Sequence, residues 1–287
     1  MSAEPLTPAT PIPPTGARAL PWDLYRRQLA AILRLEVKKS FLGKRALGVY
    51  LLALMPVSLF ALHAIVAHFL GRGDDGAQQM FANIFQTFLL RGVIFFGCVE
   101  IFGNLIRREM LERTLHYYFL SPVRREVLAS AKYLTGLLVS CTLFGGATVA
   151  SFFFAYLPRG LDALFHDFGQ LLAYVGVAFL ACLGYGAVFL AFSMVFKNPI
   201  VPAIVFFGWE AINPVISPLM QKLSITFYLR HLAPVDVPAE GIFALLTVVA
   251  EPVPAWAASL GVVVLTAAVL IFACYRVRKL EISYTTE

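Results

Sequence analysis

An all-α polytopic membrane protein with six transmembrane helices is the fold class this sequence predicts, and three observations predict it. Of 287 residues, 59% are hydrophobic and only 14% charged, where a soluble domain carries roughly a quarter charged residues. The mean hydropathy is +0.77. The apolar residues also fall in blocks close to the roughly 20 residues that a helix needs to cross a bilayer core. One membrane domain over 21–287, preceded by a tail at 1–20, accounts for the whole sequence. The tail begins "MSAEPLTPATPIPPTGA"; it is Pro-rich, has no apolar stretch of signal-peptide type and reads as disordered.

The spans are expected at about Leu47–Leu70, Ala82–Ile106, Leu128–Leu157, Phe168–Phe196, Ile200–Ser217 and Ala257–Tyr275. The third and fourth exceed one bilayer thickness and should tilt or project. An even number of spans puts both termini on one side, and the basic residues say which. Eight precede the first span, five arginines (107, 108, 113, 124 and 125) follow the second, and Arg276, Arg278 and Lys279 follow the sixth. The opposite side carries only Arg72, Arg159, Lys222 and Arg230 over three loops. Cytoplasmic loops hold the Lys/Arg excess, so both termini and the 107–127 loop are expected in the cytoplasm of a plasma membrane, the inner membrane of a bacterial cell. The net charge of +6 has the same origin: it lies beside apolar spans and suits anionic lipid headgroups, not nucleic acid.

Residues 21–45 are expected to form a helix along the membrane surface. Trp22, Tyr25, Leu29, Ile32, Leu33 and Val37 share one helical face, while Arg27, Arg34, Lys38 and Arg45 share the other. That pattern places cations among headgroups and an aromatic at the boundary; packing on another protein is the second reading of the same face. Residues 218–256 hold five prolines and an apolar stretch, "EGIFALLTVVAEP", too short to cross. An external re-entrant or interfacial segment, held by neighbouring protein, is expected there, because bare backbone is not tolerated in lipid.

The charge missing elsewhere is concentrated in "RREMLERTLHYYFLSPVRREVLASAKYL" from Arg107 to Leu134. Leu111, Leu115 and Tyr118 fall on one helical face. Glu109, Glu112, Arg113 and His116 cover much of the rest. Pro122, which has no N–H to donate, ends the helix. A short amphipathic helix across the ends of two spans is either a lever that receives force from a cytoplasmic partner or a structured loop that fixes topology.

Here the chain resembles a known family. Glu109, Glu112 and Arg113, then Thr114 and Leu115, an apolar run to Leu120, then Ser121, Pro122 and Val123, with Lys132 ten residues after the proline, are similar to the cytoplasmic loop of ABC type 2 exporter permeases. The six-span layout, the amphipathic helix before span one and the long segment between spans five and six resemble that family too. It departs from the usual pattern at Arg113, where a Gly is common, and at His116, where an acid is. The resemblance implies a cytoplasmic coupling helix between spans 2 and 3 that docks on a separate ABC ATPase subunit through Glu109, Leu111, Glu112, Arg113, Thr114, Leu115, Tyr118, Ser121 and Pro122. It implies a second permease chain, identical or a close paralogue, with spans two and five along a central pathway. ATP and Mg would reside on the partner, since this chain has no GxxxxGK[ST] loop to cradle phosphates.

Charges inside the spans are the other candidates. Arg91 lies near the middle of span two, Glu100 lies nine residues later on the opposite helical face, and Glu210 lies near the middle of span five. A lone charge at mid-bilayer costs at least about 2.5–3.5 kcal/mol, so Arg91 and Glu210 are expected to approach one another, as a structural ion pair or as pathway residues. Cys98, Cys141, Cys182 and Cys274 all lie in apolar runs without ligand spacing and read as small buried hydrophobes. No HExxH, GxSxG or other catalytic constellation appears. The sequence therefore predicts the membrane-spanning subunit of an ATP-driven exporter, not an enzyme. The alternative is a secondary transporter or channel that works through Arg91, Glu100 and Glu210. Lipids, drugs, polysaccharides and peptides fit its apolar spans equally well as cargo.

Overall fold

A computed structural model describes residues 22–42, 46–70, 76–111, 125–196, 198–237 and 253–278, and side chains at 22–25, 42, 106–111, 125–126, 161, 214 and 278 stand outside that description. Every regular element among the described residues is helical. Helix α1 is Trp22–Leu42 and α2 is Ala46–Phe69. Next comes one continuous run: α3 at Ala77–Ile84, a π-helical stretch at Phe85–Ile94 and α4 at Phe95–Leu111. Helix α5 is Arg125–Tyr156, α6 is Leu161–His166 and α7 is Phe168–Val195. Helices α8, α9, α10 and α11 are Ile200–Ile212, Pro218–Gln221, Ile225–Leu232 and Ala255–Arg278.

Five helical runs are long and apolar enough to cross a membrane: Ala46–Phe69, Ala77–Leu105, Val127–Arg159, Phe168–Val195 and Ala255–Val277. Helix α5, with 32 residues, is about 48 Å long at 1.5 Å per residue, well beyond a hydrocarbon core of about 30 Å. The fifth expected span is different. The run from Ile200 to Ser217 is not one helix: α8 has 13 residues, about 20 Å, and gives way to a single 3-10 turn at Asn213–Val215. The reason is local. Pro214 follows Asn213 and Pro218 follows Ser217, and proline withholds the N–H that a continuing helix needs.

Helix α7 is the central element. It packs on α4, α5, α10 and α11, while α1 and α2 lie along α5. Its Tyr174, Ala178, Ala181, Cys182, Tyr185 and Phe189 are fully buried. Lipid is as apolar as leucine, so helices associate in a membrane by close packing at small residues, not by withdrawal from water. Phe102 shows how: a Cβ placed on Gly136 of α5 or Gly186 of α7 would sit 2.5 Å from its ring. The ring of this span-two residue therefore fills space that two glycines of the neighbouring helices leave open. The outward faces stay apolar, with Leu47, Leu51, Leu62 and Phe69 of α2 and Val201, Ile204 and Val205 of α8 exposed. At the turn from α5 to α6, Gly160 takes φ +91°, a left-handed conformation that glycine adopts without a Cβ penalty.

Candidate functional site

Two polar constellations stand out of this apolar body. The first surrounds the break after α8. Irregular backbone at membrane depth needs partners from the protein, and buried side chains supply them. Asn213 Nδ2 donates to the Gln221 carbonyl at 3.3 Å, and Gln221 Nε2 donates to the Ile216 carbonyl at 2.9 Å. Glu210, only 4% exposed, accepts from Ser224 Oγ at 2.7 Å, from the Thr226 amide at 2.9 Å and from the Ile225 amide at 3.1 Å. The carboxylate therefore neutralises the first free N–H groups of α10, where the positive end of the helix dipole lies. Helix α10 is held by protein as well: Ile225, Phe227 and Leu229 are buried, and Ile225 approaches Gly184 of α7 while Tyr228 crosses Gly261 of α11. Of the expected re-entrant segment, 218–237 thus contains two short helices, the second of which packs on α7 and α11, and 238–252 lies outside the described residues.

The sequence expects Arg91 and Glu210 to approach one another, as an ion pair or as pathway residues. No ion pair joins them, because the carboxylate is engaged by the α9–α10 connection. The Tyr185 hydroxyl of α7 lies 2.9 Å from Oγ1 of Thr226, whose amide donates to Glu210. Arg91 sits half-buried in the π-helical stretch. Gln86 of the same stretch donates through Nε2 to the Val235 carbonyl at 2.7 Å, which ties span two to the chain just after α10. Arg230 of α10, unnoticed as a candidate in the sequence, is half-buried, and that burial, followed by the charge of Arg91, holds its pKa below the ordinary arginine value. Glu100 is exposed, away from this group, and its backbone carbonyl accepts from Asn104 Nδ2 at 2.9 Å.

The second constellation lies at the root of the charged loop. Lys132, fully buried, donates through Nζ to the Leu105 carbonyl at 3.2 Å and pairs with Glu36 Oε1 at 3.6 Å. Leu105 is near the end of span two, Lys132 is in the first turns of α5, and Glu36 is on α1. Three segments therefore meet at one ammonium group. Glu36, 4% exposed, was hidden in plain pattern: it lies seven residues after Leu29, four after Ile32 and three after Leu33, so it shares the apolar face of α1. Leu29, Ile32, Leu33 and Val37 of that face are half-buried, whereas Arg27, Arg34 and Lys38 are exposed. The apolar face of α1 thus rests at least partly on α5 of the same chain. The side chains of Trp22 and Tyr25, and those of Glu109 and Leu111, lie outside the described residues, as do Glu112, Arg113, Thr114, Leu115, Tyr118, Ser121 and Pro122 altogether.

Residues 32–209, more than half of the chain, match the family described as ABC-2 family transporter protein. The chain belongs to the ABC-2 transporter family. It is accordingly a multi-pass membrane permease of an ABC transporter, and membership implies pairing with an ABC ATPase subunit. The ABC-2 match begins within α1, before Glu36, and takes in Arg91, the charged loop and Lys132, while Glu210 and the α9–α11 segment lie just beyond it. No curated protein matches the chain. Among the described residues no cluster of His, Cys, Asp or Glu is built to hold a metal ion. Cys98 and Cys182 are buried, and Cys141 and Cys274 half-buried.

Proposed function

We propose that this chain is the membrane-spanning subunit of an ATP-driven exporter, working as a pair of permease chains with separate ATPase subunits that bind ATP and Mg. The observation that carries the reading is the Lys132 clamp. A loop that receives force must move the helices it joins as one piece. Here the segment leaving span two, the segment entering span three and α1 are locked together by a buried ammonium bonded to the Leu105 carbonyl and paired with Glu36. Removing one member of a buried ion pair is typically destabilising, so such a pair resists separation. Nucleotide binding in the ATPase would tilt the 107–127 loop, and the clamp would pass that tilt to spans two and three and to α1. Glu109, Leu111, Glu112, Arg113, Thr114, Leu115, Tyr118, Ser121 and Pro122 would form the docking face. Both termini would lie in the cytoplasm, with the basic face of α1, Arg27, Arg34 and Lys38, against anionic headgroups of the inner membrane of a bacterial cell.

Affinity purification of the full chain from its native membrane tests this. A stoichiometric protein bearing a Walker motif should co-purify with the wild type, and should be lost in a variant carrying Leu111→Arg with Glu112→Arg. Transport by the chain alone, with no ATPase recovered, would overturn the reading in favour of an ATP-independent carrier working through Arg91, Glu100 and Glu210.

A further inference from the structure

Span two is wound at two pitches, and its buried face depends on the change between them. Phe85 and Ile94 bound the π-helical stretch. In an α-helix these two residues would stand about 2.5 turns apart at 3.6 residues per turn, on opposite faces. Both are nevertheless fully buried. Hydrogen bonds that close on the fifth residue wind the chain less per residue, so the stretch returns both side chains to the bundle. On its Ala77 side, Phe81 lies 5.1 Å from Phe152 of α5 and 4.9 Å from Tyr174 of α7, between ring centroids, and Phe85 lies 4.7 Å from Tyr174. On its loop side, Phe95 lies 5.2 Å from Tyr185 and 5.0 Å from Phe189 of α7, and Phe102 fills the space at Gly136 and Gly186. A continuous α-helix would seat one of these halves only by turning the other away.

The two halves are fastened differently. The loop half ends at the Leu105 carbonyl, in the grip of Lys132 and its partner Glu36. The Ala77 half is held by neutral amides. Gln78 Nε2 donates to Gln170 Oε1 of α7 at 3.2 Å. Gln86, buried at the start of the π-helical stretch, donates through Nε2 to the Val235 carbonyl at 2.7 Å. A neutral hydrogen bond contributes less than a buried ion pair resists, so the Ala77 half is the one free to turn. Gly92 lies inside the stretch, and a Cβ there would meet nothing within 4 Å. No close approach requires this glycine; its effect is on the backbone, where it weakens the preference for α-helix.

We infer that the π-helical stretch is a rotary joint in span two. Driven from the loop half, it rewinds towards α-helix and turns the Ala77 half, with Phe81 and Phe85, away from α5 and α7. Full rewinding turns one half against the other by about half a turn, the fraction left over in 2.5. Two windings of one segment are the discrete arrangements that a transmitted switch needs. This rests on the coupling reading and adds to it the place where the movement is absorbed.

Cross-linking of the full chain in nanodiscs, with its four native cysteines replaced by alanine, tests this. Gln78→Cys with Gln170→Cys, bridged by a short bis-methanethiosulfonate, reports whether the Ala77 half faces α7. Gly103→Cys with Pro199→Cys reports the loop half, where a Cβ on Gly103 lies 3.5 Å from Pro199. Gln86→Leu removes the Val235 bond and should lower the first yield several-fold while the second is unchanged. Deleting Thr87 and Phe88 leaves Phe85 and Ile94 about two α-helical turns apart, so the first yield should then stay high with Gln86→Leu present. Gly92→Ala favours the α winding and should lower the first yield by itself; it serves if the deleted chain does not fold. A first yield untouched by Gln86→Leu and Gly92→Ala, or lost equally with and without the deletion, would overturn the joint. Loss of both pairs together would also overturn it, by showing that span two moves as one rod. ATP with vanadate should lower the first yield wherever an ATPase co-purifies, and an unmoved yield there contradicts the joint as stated. Absence of an ATPase sinks the coupling reading alone, because the Gln86 and Gly92 variants are read without nucleotide.

Discussion

Replacing Glu36 with Gln asks whether the clamp beneath the charged loop holds α1 to the bundle. The amide keeps the shape of the side chain and removes its charge. At 3.6 Å between Lys132 Nζ and Glu36 Oε1, an effective dielectric of about 20 gives an attraction of about 4–5 kcal/mol. The cost of desolvating both groups offsets part of it, and removal of one member of a buried pair is typically destabilising by about 3–5 kcal/mol. Lys132 keeps its bond to the Leu105 carbonyl, so the lower figure, about 3 kcal/mol, applies here. That corresponds to about a hundredfold rise in the local opening equilibrium of α1. Hydrogen exchange in nanodiscs should show this as faster exchange confined to peptides from 26–41, with α7 unchanged. Glu36→Gln combined with Lys132→Met should lose less than the sum of the two single variants, because the pair can be broken only once. Unchanged exchange of α1 in Glu36→Gln, or strict additivity in the double variant, would refute the clamp.

Two other expectations follow from the packing. Glu210→Gln puts an amide N–H₂ towards the Ser224–Thr226 donors and forfeits charge-assisted bonds worth about 1.5–3 kcal/mol, so exchange of 225–232 should accelerate at least tenfold while α2 is unaffected; equal rates would show that α10 is held by packing alone. Phe102→Ala empties the space between Gly136 and Gly186. Soluble cores lose about 3–5 kcal/mol in such a change, but lipid solvates separated helices, so only the packing part is forfeited; melting in detergent should fall, and Gly186→Val should lower it as well by pushing the ring aside. A melting point unmoved by both would mean that Phe102 is not the wedge between spans two, three and four.

What the sequence made legible was set by the length of its apolar runs. Five spans follow from continuous apolar stretches, because in lipid a helix is the only way to satisfy a backbone internally. The run at 200–217 misleads for the same reason: hydropathy counts apolar residues and is blind to whether the helix continues, and Pro214 and Pro218 were the better guide to its end. The family was readable from Thr114, Leu115, Ser121, Pro122 and Lys132. Depth along the spans brought Arg91 and Glu210 to the same region, but partner choice was not readable, because the donors that claim Glu210 come from a helix start at Ser224 that only the chain reversal creates. Glu36 was readable from its register with Leu29 and Leu33, had an acid on an apolar face been treated as a question. The π-helical stretch around Arg91 has no sequence signature, since it differs from an α-helix only in hydrogen-bond register.

The central claim is that the loop between spans two and three takes mechanical work from another polypeptide, and a photo-reactive residue at Thr114 in the full chain tests it most directly. Irradiated in its native membrane, the variant should form a single major cross-link to a Walker-motif protein, with a yield that changes when ATP and vanadate are added. Cross-linking from Thr114 to lipid or to externally added reagents, with no ATPase adduct in a membrane where the chain transports, would contradict the account.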